Sequence, residues 1–112
     1  MYSSTFTANK NRNRLNQYLV NEITQATPQQ LLIKIYDFAI VNCKKQNLAK
    51  TNEALQVLIN ALSFDNKDVS EVSTGLLKLY QYCQNEMRKK NYSIVYKILT
   101  ELKESWVIAF NK

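Results

Sequence analysis

The stretch Ala26-Thr27-Pro28-Gln29-Gln30-Leu31-Leu32-Ile33-Lys34-Ile35-Tyr36-Asp37-Phe38-Ala39-Ile40 decides the fold. Pro28 is the only proline of the chain. It stands at a first helical position, where a missing N–H costs nothing. Thr27 before it is an N-cap, because its hydroxyl accepts from the free N–H groups of the first turn. Gln30 lies three residues after Thr27, the spacing of a capping box. Beyond it Leu31, Leu32, Ile35, Tyr36, Ala39 and Cys43 recur at the spacing of one helix face. Ile33, Phe38, Ile40 and Val41 are apolar as well. So much apolar surface predicts a central helix, over about residues 28–45, covered on more than one side.

Outward from this helix the same logic repeats. A turn at Gln46-Asn47 leads to a second helix over about 48–62, with Leu48, Leu55, Leu58, Ile59 and Leu62 on one face. After the polar residues 63–67, Asp68 with Glu71 three residues on reads as a cap for a third helix. That helix carries Val69, Val72, Leu76, Leu79, Tyr80, Cys83 and Met87. Gly75 inside it costs roughly 1 kcal/mol against alanine, which suggests a close helix–helix contact. Asn91-Tyr92 breaks the pattern and Ser93 reads as the cap of a fourth helix. Its stripe is Val95, Leu99, Leu102, Trp106 and Ala109. Trp106 is expected to anchor the core. Before all of these, residues 1–10 lack periodicity, and residues 11–23 form at most a short amphipathic helix with Leu15 and Tyr18 on one face. The expected fold is all-α: an antiparallel four-helix bundle over 24–112, preceded by a flexible tail and short N-terminal helix or strap over 1–23.

Composition agrees with this class. Of 112 residues 46% are apolar, enough for a core, and one glycine with one proline is too few for a turn-rich β fold. The net charge is +6, spread over Arg12/Arg14, Lys44/Lys45 and Arg88/Lys89/Lys90. The last two runs fall at expected helix C-termini, which favour cations, so the charge is read as helix ends rather than a nucleic-acid surface. No apolar run approaches the ~20 residues of a membrane span, and no secretory leader is visible. Cys43 and Cys83 sit on apolar helical faces, as small core hydrophobes. A cytoplasmic protein is the expectation.

The chain has no histidine, which removes the commonest general base and metal ligand. Two distant cysteines cannot build a usual zinc site, and one glycine cannot build a phosphate-binding loop. No catalytic residue, metal or cofactor is therefore expected, and the chain reads as a binding protein rather than an enzyme.

The order of residues carries more than periodicity. Leu15-x-x-Tyr18, Ala26-Thr27-Pro28-x-x-Leu31-Leu32-Ile33-x-x-Tyr36-Asp37-x-Ala39-Ile40, Ser63-Phe64-Asp65, Leu79-Tyr80-x-Tyr82 and Leu102-x-x-x-Trp106 together resemble the flagellar secretion chaperone family FliS. The resemblance runs from about Leu15 to Trp106. It departs at Phe38, where the family commonly has glycine after Tyr-Asp, at 67–73, and at Lys103. The resemblance implies a four-helix bundle in the bacterial cytosol with no ATPase activity. It implies a protein that binds the disordered C-terminal segment of flagellin, blocks premature polymerisation and delivers the client to the flagellar type III export gate. Other flagellar proteins are possible further clients, and the chain is expected to be a monomer or weak homodimer.

A bundle groove takes an amphipathic client helix through anchors at i, i+3, i+4 and i+7. The expected groove residues are Ile33, Tyr36, Phe38 and Ile40 on the first helix, Val57 and Leu58 on the second, and Ile94 and Ile98 on the fourth. Tyr36 is expected at a half-buried groove edge, with Asp37 either accepting a hydrogen bond beside it or facing solvent. The positions matching Leu15 and Tyr18 lie, in the family, in a mobile strap that covers the groove and contacts the export gate. A staple that packs one end of the bundle is the other reading of this pair. The rival class is a different helical adaptor or dimerising regulator.

Overall fold

The computed structural model describes residues 26–112. The expected tail and strap, with Leu15 and Tyr18, lies outside the described residues. Four helices and no strand are found among those described: α1 Pro28–Lys44, α2 Leu48–Asn60, α3 Lys67–Arg88 and α4 Tyr92–Phe110. The chain divides into compact units at residues 1–31 and 32–112, and of the first only the start of α1 is described.

The α1 start forms as the sequence predicts. Gln30 N–H donates to Thr27 Oγ1 at 3.1 Å and Thr27 N–H donates to Gln30 Oε1 at 2.9 Å, the reciprocal pair of a capping box. The stops of α1 and α3 share one construction. Gln46 and Lys90 take left-handed φ values of 59° and 65° without being glycine. The next residue's N–H then reaches back to close the helix, Asn47 to Asn42 C=O and Asn91 to Glu86 C=O, both at 2.9 Å. The second of these turns sends α4 back along α3.

Two expected caps are corrected. α3 is capped by Asn66, whose side chain accepts from Val69 N–H at 2.9 Å, so Asp68 sits inside the first turn. α4 begins at Tyr92, ahead of Ser93, and its N-cap Asn91 makes no capping bond because its side-chain amide donates to Glu86 Oε1 at 2.8 Å. The expected tight contact at Gly75 is also absent: a Cβ there would meet no atom within 4 Å.

Pairings fix the helix directions. Early α2 meets late α3 through Asn52 Nδ2–H to Gln84 C=O and Gln84 Nε2–H to Asn52 C=O, both 3.2 Å. The end of α1 meets the start of α4, where Cys43 Sγ–H donates to Tyr92 C=O at 3.4 Å. Both pairs are antiparallel. α3 lies at the centre, against α2 and α4 and bonded to α1 through Tyr80. The core is drawn from all four helices: Tyr36, Ala39 and Cys43; Ala54, Leu55 and Leu58; Tyr80, Cys83 and Met87; Val95 and Leu99. Covering α1 on several sides is not what happens, since Phe38 and Val41 stay 45% and 50% exposed. No helix of the described residues is long and apolar enough to cross a membrane.

Candidate functional site

α2 has 13 residues and α3 has 22. The Asn52–Gln84 pair anchors the start of α2 to the end of α3, so α2 stops short and the first turns of α3 extend past it. The inward stripe of α3 does not stop there. Val69 and Val72 continue the phase of Leu76, Tyr80, Cys83 and Met87, yet remain 39% and 61% exposed. They border a cleft of about 450 Å³. Leu58 and Leu62 of the α2 end form one wall, Leu32 of α1 another, and Tyr80 with Trp106 lies at its base. Its polar lining is small: Ser63, Ser73 and Asp68. Ser73 spends its hydroxyl on Ser63 C=O at 2.5 Å, which fixes the α2–α3 connection and leaves the cleft wall apolar.

The base is a buried polar relay. Trp106 Nε1–H donates to the Tyr36 hydroxyl at 3.1 Å, and the Tyr36 and Tyr80 hydroxyls share a hydrogen bond at 2.5 Å. Three helices are thereby tied at one point. Burial raises the phenol pKa of both tyrosines, so the relay is neutral and donor-competent in ordinary solution.

The predicted groove residues do not converge. Tyr36 is fully buried, which corrects its expected place at a half-buried groove edge. Leu58 is buried and is the only one of the eight that lines the cleft. Phe38 and Val57 are each 45% exposed, while Ile33 is half-buried. Ile40, Ile94 and Ile98 pack partly against the core, and Ile98 borders a separate α3–α4 crevice with Leu79 and Leu102. Asp37 pairs with Lys103 of α4 at 2.5 Å, with both side chains partly exposed. Trp106 is half-buried against the core and stacks on Phe110 with ring centroids 5.6 Å apart. Sequence reasoning placed Val69, Val72 and Leu76 on the apolar stripe of the third helix without separating them from the residues behind them. The legible signal was an apolar pair opening α3 directly after a polar loop, before any partner helix is in register.

Cys43 and Cys83 are free and fully buried. Burial raises both thiols, Cys83 to about 12 with help from the neighbouring Cys43 and Glu86, so neither is a thiolate nucleophile at neutral pH. No group of three or more metal-ligating side chains occurs among the described residues.

Comparison of the chain with protein-family models, with curated proteins and with solved structures finds no match. Fold and cleft together define a class: a small helical bundle with an apolar, hydrogen-bond-poor cleft at one end.

Proposed function

We propose that this chain is a cytoplasmic export chaperone for flagellin, holding the C-terminal segment of its client as an amphipathic helix. The observation that carries the reading is the apolar cleft, with Val69 and Val72 exposed beside it. Its walls suit the apolar stripe of a helix that would otherwise self-associate. The acids Asp65, Asp68 and Glu71 stand around the start of α3, so a basic flank on the client is favoured. The ordered resemblance from Leu15 to Trp106 supplies the identity of that client. Folding on binding lowers net affinity by a few kcal/mol, which suits a complex that must release at the export gate. Leu15 and Tyr18 are proposed to contact that gate.

The test is light scattering and calorimetry with a flagellin C-terminal peptide. A one-to-one complex that gains helicity, and is lost in Val72→Asp without a lowered melting temperature, supports the reading. No complex at millimolar peptide, or a complex indifferent to Val72→Asp, overturns it. A stable homodimer dissociated by Val72→Asp would favour the dimerising regulator instead.

A further inference from the structure

At the end of the bundle opposite the cleft, two turns and four helix ends carry seven of the twelve lysines and arginines among the described residues. Lys44 and Lys45 follow α1, and Arg88, Lys89 and Lys90 follow α3. Lys50 stands in the first turn of α2 and Lys97 in the second turn of α4. All seven are exposed. Only Glu53 and Glu86 oppose them, and Glu86 is 8% exposed, held by Asn91 and Lys89. The remaining described residues carry a slight excess of acid: Lys34, Lys67, Lys78, Lys103 and Lys112 against Asp37, Asp65, Asp68, Glu71, Glu101 and Glu104. The bundle is thus polarised along its axis.

Helix ends explain only part of this. Cations suit the C-termini of α1 and α3, where the backbone dipole is negative. Lys50 stands in the first turn of α2, where that same dipole disfavours it, and neither α2 nor α4 has an acid in its first turn. At Lys50 the charge is therefore held against local helix preference, and Lys97, a turn further in, adds to the same end without help from a dipole. We propose that this basic end is a docking surface for an acidic segment of a partner protein.

The chemistry of the surface selects that partner over a nucleic acid or a membrane. Six of the seven cations are lysines, point charges without the guanidinium fork that grips phosphate in two places. The described residues of this surface offer no continuous stacking platform for bases: Tyr92 is half-buried against the core, Tyr96 is exposed but has the Lys44 ammonium 5.8 Å from its ring centroid, and Tyr82 is exposed. Between the two turns lie two pockets: one of about 580 Å³, lined by both Lys90 and Glu86, and one of about 320 Å³, lined by Lys44, Gln46 and Ser93 without an acid. The smaller pocket suits a carboxylate side chain flanked by hydrogen-bonding groups. The surface is independent of the apolar cleft, and its occupant is a different segment from the proposed client helix.

The experiment measures fluorescence anisotropy of a labelled peptide rich in Asp and Glu, of about twelve residues, on the full chain. The controls are its Asn/Gln counterpart, a single-stranded DNA of equal charge, and phosphatidylserine vesicles. The acidic peptide is expected to bind at least about tenfold more tightly than the neutral one and to weaken steeply with salt. Lys44→Gln, Lys89→Gln and Lys90→Gln combined are expected to weaken it by about tenfold or more, while Val72→Asp leaves it unchanged. These variants are on exposed sites, and an unchanged melting curve confirms their fold. Equal binding of acidic and neutral peptides, binding that survives the triple variant, or tighter binding to the DNA or the vesicles overturns the proposal.

Discussion

Tyr36→Phe isolates the relay at the base of the cleft. The ring stays, so the packing of Tyr36 against the core is kept, and only the central hydroxyl is removed. Two hydrogen bonds vanish, one to Trp106 Nε1 and one to Tyr80. Each is worth a net ~0.5–1.5 kcal/mol. The two stranded partners differ. Tyr80 is 1% exposed, so its stranded hydroxyl stays buried, whereas Trp106 is half-buried at the cleft. The cost is therefore weighted toward the Tyr80 bond, for a total of about 2 kcal/mol. In a domain of this size that is a melting-point loss of ~8–16 °C. Urea unfolding reads it twice: by far-UV circular dichroism, and by the fluorescence of Trp106, the only tryptophan. The coupling is measured by a cycle with Tyr80→Phe. A shared bond makes the double variant less costly than the sum of the singles by about 1 kcal/mol. A loss under about 0.5 kcal/mol, or strict additivity, would refute a relay that ties three helices together.

Gly75→Ala is expected to stabilise by ~0.5–1 kcal/mol, because the new methyl meets nothing and helix propensity improves; a lowered urea midpoint would mean something does contact that position. Thr27→Ala removes the capping box and is expected to cost about 1 kcal/mol, seen as a lower melting temperature and faster amide exchange in the first turn of α1. Burial makes the Cys43 and Cys83 thiols and the Tyr36 and Tyr80 phenols hold their protons more tightly when folded. Folded pKa values above unfolded ones give stability that is complete below about pH 9 and falls as pH rises toward 12, so urea midpoints at pH 8 and 10.5 should differ less in Cys83→Ala than in the parent.

The helices were legible because each has a face whose period the chain repeats, and the Thr27 cap was legible because its box is local. The cap of α3 was not. Asn66 and Asp68 are both good capping residues two positions apart, and local preference does not arbitrate between them. Ser73 does, by holding Ser63 C=O and so fixing how the connection enters the helix. The cap of α4 was misread for a similar reason: Asn91 turns its amide to Glu86, five residues back, and Tyr92 packs on the core, so the helix opens before Ser93. Of the eight groove residues, Ile33, Phe38 and Ile40 were chosen as apolar surplus beyond one face of α1, and Tyr36 as a groove edge. Surplus on α1 gives Phe38 and Val41, exposed and outside the lining of the apolar cleft, while Tyr36 closes the core.

Periodicity fails at the cleft for a geometric reason. A repeat of three and four states which way a side chain points, not whether another helix is there to meet it. Val69 and Val72 have the phase of core residues, and from the chain alone they are core residues. What opens them is a difference in length, nine residues between α3 and α2, or about 13 Å of helix. The Asn52–Gln84 pair places all of that deficit at one end. The cleft therefore runs along the first turns of α3 beside the returning 61–66 connection, apolar toward Val69, Val72 and Leu76. An occupant of that cleft has its apolar stripe covered as the two valines are covered. In the proposed chaperone reading, a client helix is recognised by the same rule that packs the bundle's own helices, and the proposed binding surface for that reason reads, in sequence, as core.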